Sequence, residues 1–227
     1  MNRSRLYSGV DPADVPAYTL AEAAGLIGVP ASTLQKWTRG RSFQTKRGTS
    51  TSSPIIKTPV KGFLSFTNIV EAHILAGLRK ERIGLDKIRT AVHCVERSFG
   101  VQHALAREQF KTDGVSLFVD KLGKLLNVSH DGQVAIREVL DRHLKRVVFD
   151  DGRAVRLFPL HRPEAPRTIV IDPRRAFGRP TLEGTSVPIV DIKSRFDCGE
   201  DVEVLAQDYQ VPVQAVQEAL RASGKAA

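Results

Sequence analysis

Apolar residues recur at helical spacing near the start of the chain. Thr19 followed three positions later by Glu22 is a capping-box start. One apolar helical face then follows, formed by Leu20, Ala23, Ala24 and Ile27. Gly28 can adopt a positive φ and close this helix, while Pro30 suits the first position of the next one. The pattern predicts two short helices joined by a tight turn.

These two helices have the spacing of a helix-turn-helix. Ala24 is small enough to let the helices touch, Gly28 turns the chain, and Leu34 anchors the second helix. Leu34 and Trp37 face one way, while polar residues at i, i+3, i+4 and i+7 share the other face. A helix that reads a DNA groove needs such a face, and its candidate base-reading residues are Ser32, Gln35, Lys36 and Arg39.

A basic stretch adjoins this motif. Residues 31–62 contain seven lysines and arginines and no acidic residue, which is typical of a segment that contacts phosphates. Residues 53–58 and 60–64 are predicted to be short strands joined to a mobile loop, the outline of a β wing. Its candidate contacts with the DNA backbone or minor groove are Arg41, Lys46, Arg47 and Lys57. The alternative to a DNA-contacting wing is a basic loop that is only solvated.

Two longer helices are predicted next. Apolar residues recur every fourth position from Val70 to Leu78, in a helix that ends near Gly84, and the apolar stripe of another helix lies within 85–99. The pair carries a Ser-Phe, Val-Glu, Leu-Arg and Gly-Leu-Asp-Lys-Ile-Arg pattern. With the helix-turn-helix, residues 18–100 resemble the N-terminal domain of MerR-like regulators, which implies a winged helix-turn-helix. The wing is longer than is usual there, and no long dimerisation helix follows.

The middle of the chain is predicted to mix strands with a helix. Val115–Val119 and Leu125–Val128 look like strands, and Val134–Lys145 looks like a helix. Val147–Phe158 is interpreted as a hairpin that turns at Asp151-Gly152.

A C-terminal module is predicted after a linker at 162–167, which contains two prolines. Two short strands are expected to flank turns at Gly178 and Gly184, and Asp201 is expected to cap a helix. The three predicted helices of this module lie near 188–197, 201–208 and 213–222.

Two motifs characterise this module. An Asp-Pro…Gly-x-Pro…Gly-Thr-x-x-Pro start runs from Asp172 to Pro188, and a Gly-x-x-x-Glu-x-Leu-Ala-x-Asp-Tyr segment runs from Gly199 to Tyr209. With these motifs the module resembles the small domain of VapB-like antitoxins of type II toxin–antitoxin systems. Ser186 stands where that family commonly has arginine, so no contact of that arginine is transferred to this chain.

Composition narrows the class of protein. The chain has 227 residues, of which 41% are hydrophobic and 26% charged, as in average globular proteins. No apolar run approaches the ~18 residues that a membrane helix needs, and the N-terminus lacks the apolar stretch of a signal peptide. Cys94 and Cys198 cannot form a disulfide framework or a CxxC metal site. We therefore expect a reduced, cytoplasmic protein.

The excess positive charge is unevenly distributed. The net charge is +9, yet residues 168–223 contain six basic and nine acidic residues. An excess of basic over acidic residues favours an anionic partner. The acidic C-terminal module is therefore not expected to be the main DNA contact.

The sequence carries no recognisable catalytic motif. Its six histidines form no HExxH or HxH pair, and His93-Cys94 lacks companion ligands at zinc spacing. His73 and His93 lie in helical patterns and are interpreted as hydrogen-bonded core or surface residues. Because GxSxG, P-loop and GxGxxG motifs are also missing, we expect no enzyme, no catalytic residue, no metal and no cofactor.

The predicted architecture is α+β. It comprises an N-terminal arm, a MerR-like winged helix-turn-helix domain, a mixed α/β middle region, a linker and a small three-helix domain with a short β-hairpin. The corresponding ranges are 1–17, 18–100, 101–161, 162–167 and 168–223.

The two resemblances together imply an antitoxin. Its partners would be a cognate PIN-domain ribonuclease toxin, which it neutralises, and operator double-stranded DNA, through which it represses its own operon. A homodimer is expected, because helix-turn-helix operators are usually two-fold. Two alternatives stay open: a MerR-like regulator with a C-terminal dimerisation or sensing module, and a DNA-architectural or recombination accessory protein.

Overall fold

The computed structural model describes residues 9–45, 48–160 and 165–223. Its α-helices are α1 (Leu20–Ile27), α2 (Ala31–Arg39), α3 (Phe66–Lys80), α4 (Leu85–Phe99), α5 (Val115–Leu126), α6 (His130–Leu144), α7 (Ile189–Asp197), α8 (Val202–Asp208) and α9 (Val213–Ser223). Its strands are β1 (Tyr18–Thr19), β2 (Arg41–Thr45), β3 (Gly48–Ser52), β4 (Phe63–Leu64), β5 (Val147–Asp150), β6 (Arg153–Leu157), β7 (Ile169–Val170) and β8 (Thr181–Leu182).

Helices dominate the described part of the chain. The strands there form four antiparallel two-stranded sheets, in which β1 pairs with β4, β2 with β3, β5 with β6 and β7 with β8. A two-stranded sheet is marginally stable by itself, so the fold depends on helix packing. The protein is mostly helical, with less strand than the α+β prediction required. Among the described helices, none is long and apolar enough to cross a membrane.

The main hydrophobic core is built around α3. Every residue of this helix from Phe66 to Leu78 is buried, α6 packs on it, and α5 packs against α4 and α6. Ser65 N donates to Asn68 Oδ1 at 3.2 Å and Asn68 N donates to Ser65 Oγ at 3.3 Å, which caps its first turn. Since α1 also packs against α3, this buried helix positions the helix-turn-helix on the rest of the molecule.

The C-terminal helices form a second apolar cluster. Leu205 of α8 and Val216 of α9 are fully buried in it. The module is tied to the preceding hairpin by two backbone hydrogen bonds, from Leu157 N to Ile171 O at 3.0 Å and from Ile171 N to Leu157 O at 2.8 Å. The linker at 162–167 and the other domain boundaries stay predictions.

Most of the predicted helices are confirmed. α3 ends at Lys80 and α4 begins at Leu85, so the two helices are separated by the segment before and at Gly84, as the apolar spacing indicates. α7, α8 and α9 match the three C-terminal helices closely, and β5 and β6 flank the predicted turn at Asp151-Gly152. These elements have either long apolar periodicity or an unambiguous turn dipeptide.

The two strands predicted in the middle region are wrong. Val115–Val119 and Leu125 both belong to helix α5, and Val128 follows that helix without entering a strand. The buried residues of α5 recur at i, i+3, i+4 and i+7: Val115, Phe118, Val119 and Leu122. Short apolar runs fit a strand and a buried helix equally well, and tertiary packing selected the helix here.

Of the two predicted wing strands, the one at 53–58 is wrong, and the one at 60–64 is confirmed only at its end, as β4. Residues 53–58 form no strand, whereas the polar segment that was expected to be a mobile loop pairs as β2 and β3. Ile55 and Ile56 are both buried, so this apolar pair packs into the core and does not alternate between two faces. At the other end, β4 pairs with β1 and not with a wing strand.

The starts of α2 and α8 differ in detail from the predictions. α2 begins at Ala31, so Pro30 precedes the helix and does not occupy its first position. Asp201 stands at the cap position of α8 as predicted, but its side chain accepts no capping hydrogen bond.

Candidate DNA-binding site

The turn between α1 and α2 has the predicted geometry. Thr19 N donates to Glu22 Oε2 at 2.8 Å, and Glu22 N donates to Thr19 Oγ1 at 3.3 Å, which closes the capping box. Gly28 ends α1 with a φ of 74°, and its N–H donates to Ala24 O at 2.9 Å. Since a residue with a Cβ adopts this backbone only at a cost, glycine sets the angle at which α2 leaves α1.

Helix α2 presents two contrasting faces. Leu34 and Trp37 are fully buried against the core, which fixes the rotation of the helix about its axis. The opposite face carries the predicted base-reading residues, of which Gln35 is half-buried and the others are exposed: Ser32, Lys36 and Arg39. Among the described residues neither Lys36 nor Arg39 has an ion-pair partner, so both charges are available to an anionic ligand.

The β2–β3 hairpin follows α2 directly. Gly40 leaves the helix with a φ of 71°, and Arg41 then begins β2 opposite Ser52 of β3. Arg41 is thus placed at the base of the hairpin, next to the C-terminal end of α2. The other two predicted wing contacts, Lys46 and Arg47, lie outside the described residues.

The chain that leaves the hairpin is anchored to α2 and α4. Ile55 N and Ile56 N donate to Trp37 O at 2.9 and 3.1 Å, and Arg89 Nε donates to Ser53 O at 2.8 Å. These bonds hold the base of the hairpin at a fixed position beside α2.

Lys57 lies on this anchored segment. Its carbonyl oxygen accepts from Asn68 Nδ2 at 3.0 Å, while its Nζ lies 3.9 Å from Glu96 Oε2 with 48% of the side chain exposed. Only 13% of the Glu96 side chain is exposed, but the pair is long and its lysine is in contact with solvent, so it contributes little stability. The ammonium can therefore exchange Glu96 for a phosphate at small cost.

These contacts place a cationic helix face beside a hairpin with a fixed base. A recognition helix in the major groove with a neighbouring element on the backbone needs that arrangement. The individual DNA contacts assigned to α2 and to the hairpin stay predictions.

The ionisable side chains outside this surface form no metal-binding group in the described residues. Within the described ranges, no three His, Cys, Asp or Glu side chains come together in a way that could hold a metal ion. His73 is a buried core residue whose Nε2 lies 3.2 Å from His143 O, as its helical position indicated. His93 lies on α4 with Nδ1 3.1 Å from Glu96 Oε2.

Sequence reasoning missed an exposed cluster in the C-terminal module. Phe177 is 81% exposed, and both it and Ala176 have left-handed backbone, with φ of 55° and 45°. Three exposed arginines lie close to it in the sequence, Arg174, Arg175 and Arg179, and we call residues 174–179 the Phe177 turn. Arg175 Nε lies 3.8 Å from Asp172 Oδ2. Two successive non-glycine residues with positive φ cost energy, and such strain is concentrated at functional sites.

The Phe177 turn is held in place by buried groups. Tyr18 Oη donates to Gly178 O at 2.7 Å across 160 residues of sequence, and Arg174 N donates to Asp172 Oδ1 at 2.8 Å. Burial, reinforced by the charges of Asp172 and Glu22, raises the pKa of Tyr18, which keeps the hydroxyl protonated as a donor. Because Tyr18 lies in β1, two residues before the start of α1, this bond links the turn to the helix-turn-helix.

Known proteins resemble the chain in both its parts. The family described as "Putative DNA-binding HTH domain" matches residues 16–92, and the family described as "Protein of unknown function (DUF433)" matches residues 169–221. "Putative antitoxin VapB45" of Mycobacterium tuberculosis is 29% identical, over 92% of this chain and 94% of that protein. The "Uncharacterized protein Rv2308" of the same organism is 30% identical, over 91% of this chain and 90% of that protein.

A solved structure supports the same relationship. The crystal structure of Rv2018 from Mycobacterium tuberculosis superimposes with a TM-score of 0.68 at 25% identity, over 91% of this chain and 98% of that one. The chain has a helix-turn-helix domain of the DNA-binding type followed by a DUF433 domain. It belongs to the family of Rv2308 and is a distant homologue of the protein named as a VapB45 antitoxin.

Proposed function

We propose that this protein is the cytoplasmic antitoxin of a type II toxin–antitoxin pair. It binds operator double-stranded DNA through its MerR-like winged helix-turn-helix as a homodimer, and it neutralises a PIN-domain ribonuclease toxin. The resulting complex represses its own operon. The similarity to an antitoxin along more than nine-tenths of the chain supports this proposal.

The observation that carries the DNA-binding part is the pair of contrasting faces on α2. Leu34 and Trp37 are buried, and the opposite face offers Lys36 and Arg39 without an acidic neighbour on the same helix. A helix used only for packing does not need an exposed cationic face. The anchored hairpin next to it adds further cations for the phosphate backbone.

The toxin-binding part is assigned to the C-terminal module, and the Phe177 turn supports this assignment. Aromatic residues and arginines are enriched at protein–protein interfaces, and an exposed, rigidly held ring is suited to fill an apolar pocket of a partner. The surrounding arginines complement acidic side chains, and the centre of a metal-dependent nuclease is rich in carboxylates. The rest of the module is acidic, which disfavours broad contact with DNA.

Co-expression with the product of the neighbouring open reading frame tests the proposal. We expect a stable complex on size-exclusion chromatography, growth rescue by the antitoxin, and a gel shift on DNA upstream of the operon. A nuclease that is neither bound nor inhibited would contradict the antitoxin assignment. Operator binding without any neutralised partner would instead favour a MerR-like regulator.

A further inference from the structure

A polar cavity of about 300 Å³ lies between the helix-turn-helix part and the middle of the molecule. Its walls come from the N-terminal segment at Asp14, the segment that leaves the hairpin, the start of α3, the loop between α4 and α5, and strand β6. Of the described residues that line it, all but Pro59 have polar side chains, and Asp14 is the one carboxylate among them. Four basic side chains line the same space: Lys57, His103, Arg107 and Arg153.

Among the basic side chains that line the cavity, Arg107 is the one without an acidic partner in the described part of the chain. Its side chain is half-buried, and the described residues offer it neither an ion pair nor a hydrogen bond. Arg153, which forms a β-bridge with Arg107, is by contrast paired with Asp11 at 3.0 Å and also with Asp14. Burying an uncompensated charge is unfavourable. An anion in the cavity would remove this cost.

Two lining residues of the cavity, Asn68 and His103, are bonded to a buried carboxylate behind it, Glu71. Glu71 is almost fully buried, and its Oε2 accepts from Asn68 Nδ2 at 3.1 Å and lies 3.0 Å from His103 Nδ1. Glu71 raises the pKa of His103, which favours the charged imidazolium. His103 itself has left-handed backbone, with a φ of 56°. Glu71 thus neutralises His103, and the charge of Arg107 is left for a ligand.

We propose that this cavity binds a small, multiply charged oxyanion, a phosphorylated or polycarboxylate metabolite, with Arg107 as its principal ligand. Guanidinium groups bind carboxylates and phosphates by two parallel hydrogen bonds. Thr58 and Gln102 add polar groups to the lining, and the volume suits a metabolite rather than a chain segment. The inference does not rest on the antitoxin assignment.

The position of the cavity connects it to DNA binding. Lys57 belongs to the segment that leaves the hairpin, and Asn68, which holds the Lys57 carbonyl at 3.0 Å, also lines the cavity. An anion bound to Arg107 would compete with DNA phosphates for the Lys57 ammonium. We therefore expect the bound anion to weaken operator binding.

Isothermal titration of the full-length protein with pyrophosphate and with citrate tests the site. We expect saturable binding of at least one of them, weakened roughly tenfold or more by Arg107→Gln, as for the loss of a charge-assisted hydrogen bond. Gln102→Glu, at an exposed lining position, should weaken it through charge repulsion. The matched control is Arg82→Gln, because Arg82 is exposed and outside the cavity; it should bind like wild type.

Three results would overturn the inference. The first is that the wild-type protein binds neither anion saturably. The second is that Arg107→Gln and Arg82→Gln lose the same affinity for the anion. Alternatively, Arg107→Gln could weaken operator binding while free anions bind nowhere, in which case the cavity receives a DNA phosphate. Thermal melts without ligand verify that each variant is folded, and Arg107→Lys, which retains the charge, should keep part of the affinity if Arg107→Gln fails to fold.

Discussion

The polar face of α2 and the Phe177 turn both expose arginines, yet they are built in different ways. α2 is a regular helix whose cations repeat at helical spacing and whose backbone is unstrained. The Phe177 turn carries an exposed aromatic ring on left-handed backbone, with three arginines close in sequence, and it is held by Tyr18 and Asp172. A regular row of cations suits a repeating polyanion, whereas a fixed ring with a charged rim suits one complementary pocket.

The two surfaces are also coupled to the core differently. α2 is fixed by its own buried residues, Leu34 and Trp37, directly beneath the polar face. The Phe177 turn is fixed by a hydroxyl that comes from the other end of the chain. Substitutions on the exposed side chains should therefore separate the two functions, while a change at Tyr18 should disturb the junction between them.

The largest effect is expected from Phe177→Ala. If the ring is the anchor of a protein interface, its loss should weaken toxin binding by ~2–4 kcal/mol, the range of interface hot spots. Operator affinity and the melting temperature should change little, because the side chain is exposed. Calorimetry of the purified pair measures the affinity for the toxin, and a gel shift measures the affinity for the operator. If Phe177→Ala and the wild-type protein bound the toxin equally well, the Phe177 turn would not belong to the interface.

The opposite pattern is expected for α2. Arg39→Ala or Gln35→Ala should cost ~1–3 kcal/mol on the operator and much less on scrambled duplex, if these side chains reach base edges. Toxin binding should stay at the wild-type level. Affinities measured in parallel for the operator and the scrambled duplex test this expectation. An equal loss of affinity for the two duplexes would show that the residue contacts the phosphate backbone and not a base edge.

Gly28→Val tests the link between the turn and the polar face. A branched residue at a φ of 74° should destabilise the protein by ~1–2 kcal/mol and misplace α2, with a loss of operator affinity. Chemical denaturation gives the first quantity and a gel shift the second. Unchanged values for both would show that the backbone can relax without glycine.

Tyr18→Phe sharpens the comparison at the junction. Removal of the hydroxyl leaves the Gly178 carbonyl without this donor, which should lower the free energy of unfolding by ~1 kcal/mol. Because the turn loses its support, toxin affinity should fall more than operator affinity. Tyr209→Phe, which removes a hydroxyl within the C-terminal module, is the control; the idea fails if both variants lose toxin affinity equally.

The smallest effects are expected from the hairpin cations. Neutralisation of any one predicted phosphate contact should weaken all DNA sequences alike and lower the salt slope by roughly one unit. The four positions are Arg41, Lys46, Arg47 and Lys57. Affinity measured against salt for operator and scrambled duplexes tests each substitution. Unchanged slopes at all four would leave α2 as the sole contact and support a solvated basic loop.

Local patterns in the sequence determined much of the DNA-binding end. The capping box at Thr19 and the positive φ at Gly28 follow from interactions between residues close in sequence, and the apolar spacing of Leu34 and Trp37 indicates which face of α2 is buried. The same is true of the hairpin that turns at Asp151-Gly152. In these places local propensity and apolar spacing agree with the final packing, so the sequence alone was sufficient.

Tertiary structure decided the remainder, because the deciding contacts are distant in sequence. The segment from Val115 to Leu126 could be strand or helix until it packed against α4 and α6. The Phe177 turn needs a hydroxyl 160 residues away, and the cavity at Arg107 exists only because five separate segments meet there. No local pattern encodes such encounters, since each residue involved would also be compatible with an ordinary exposed loop.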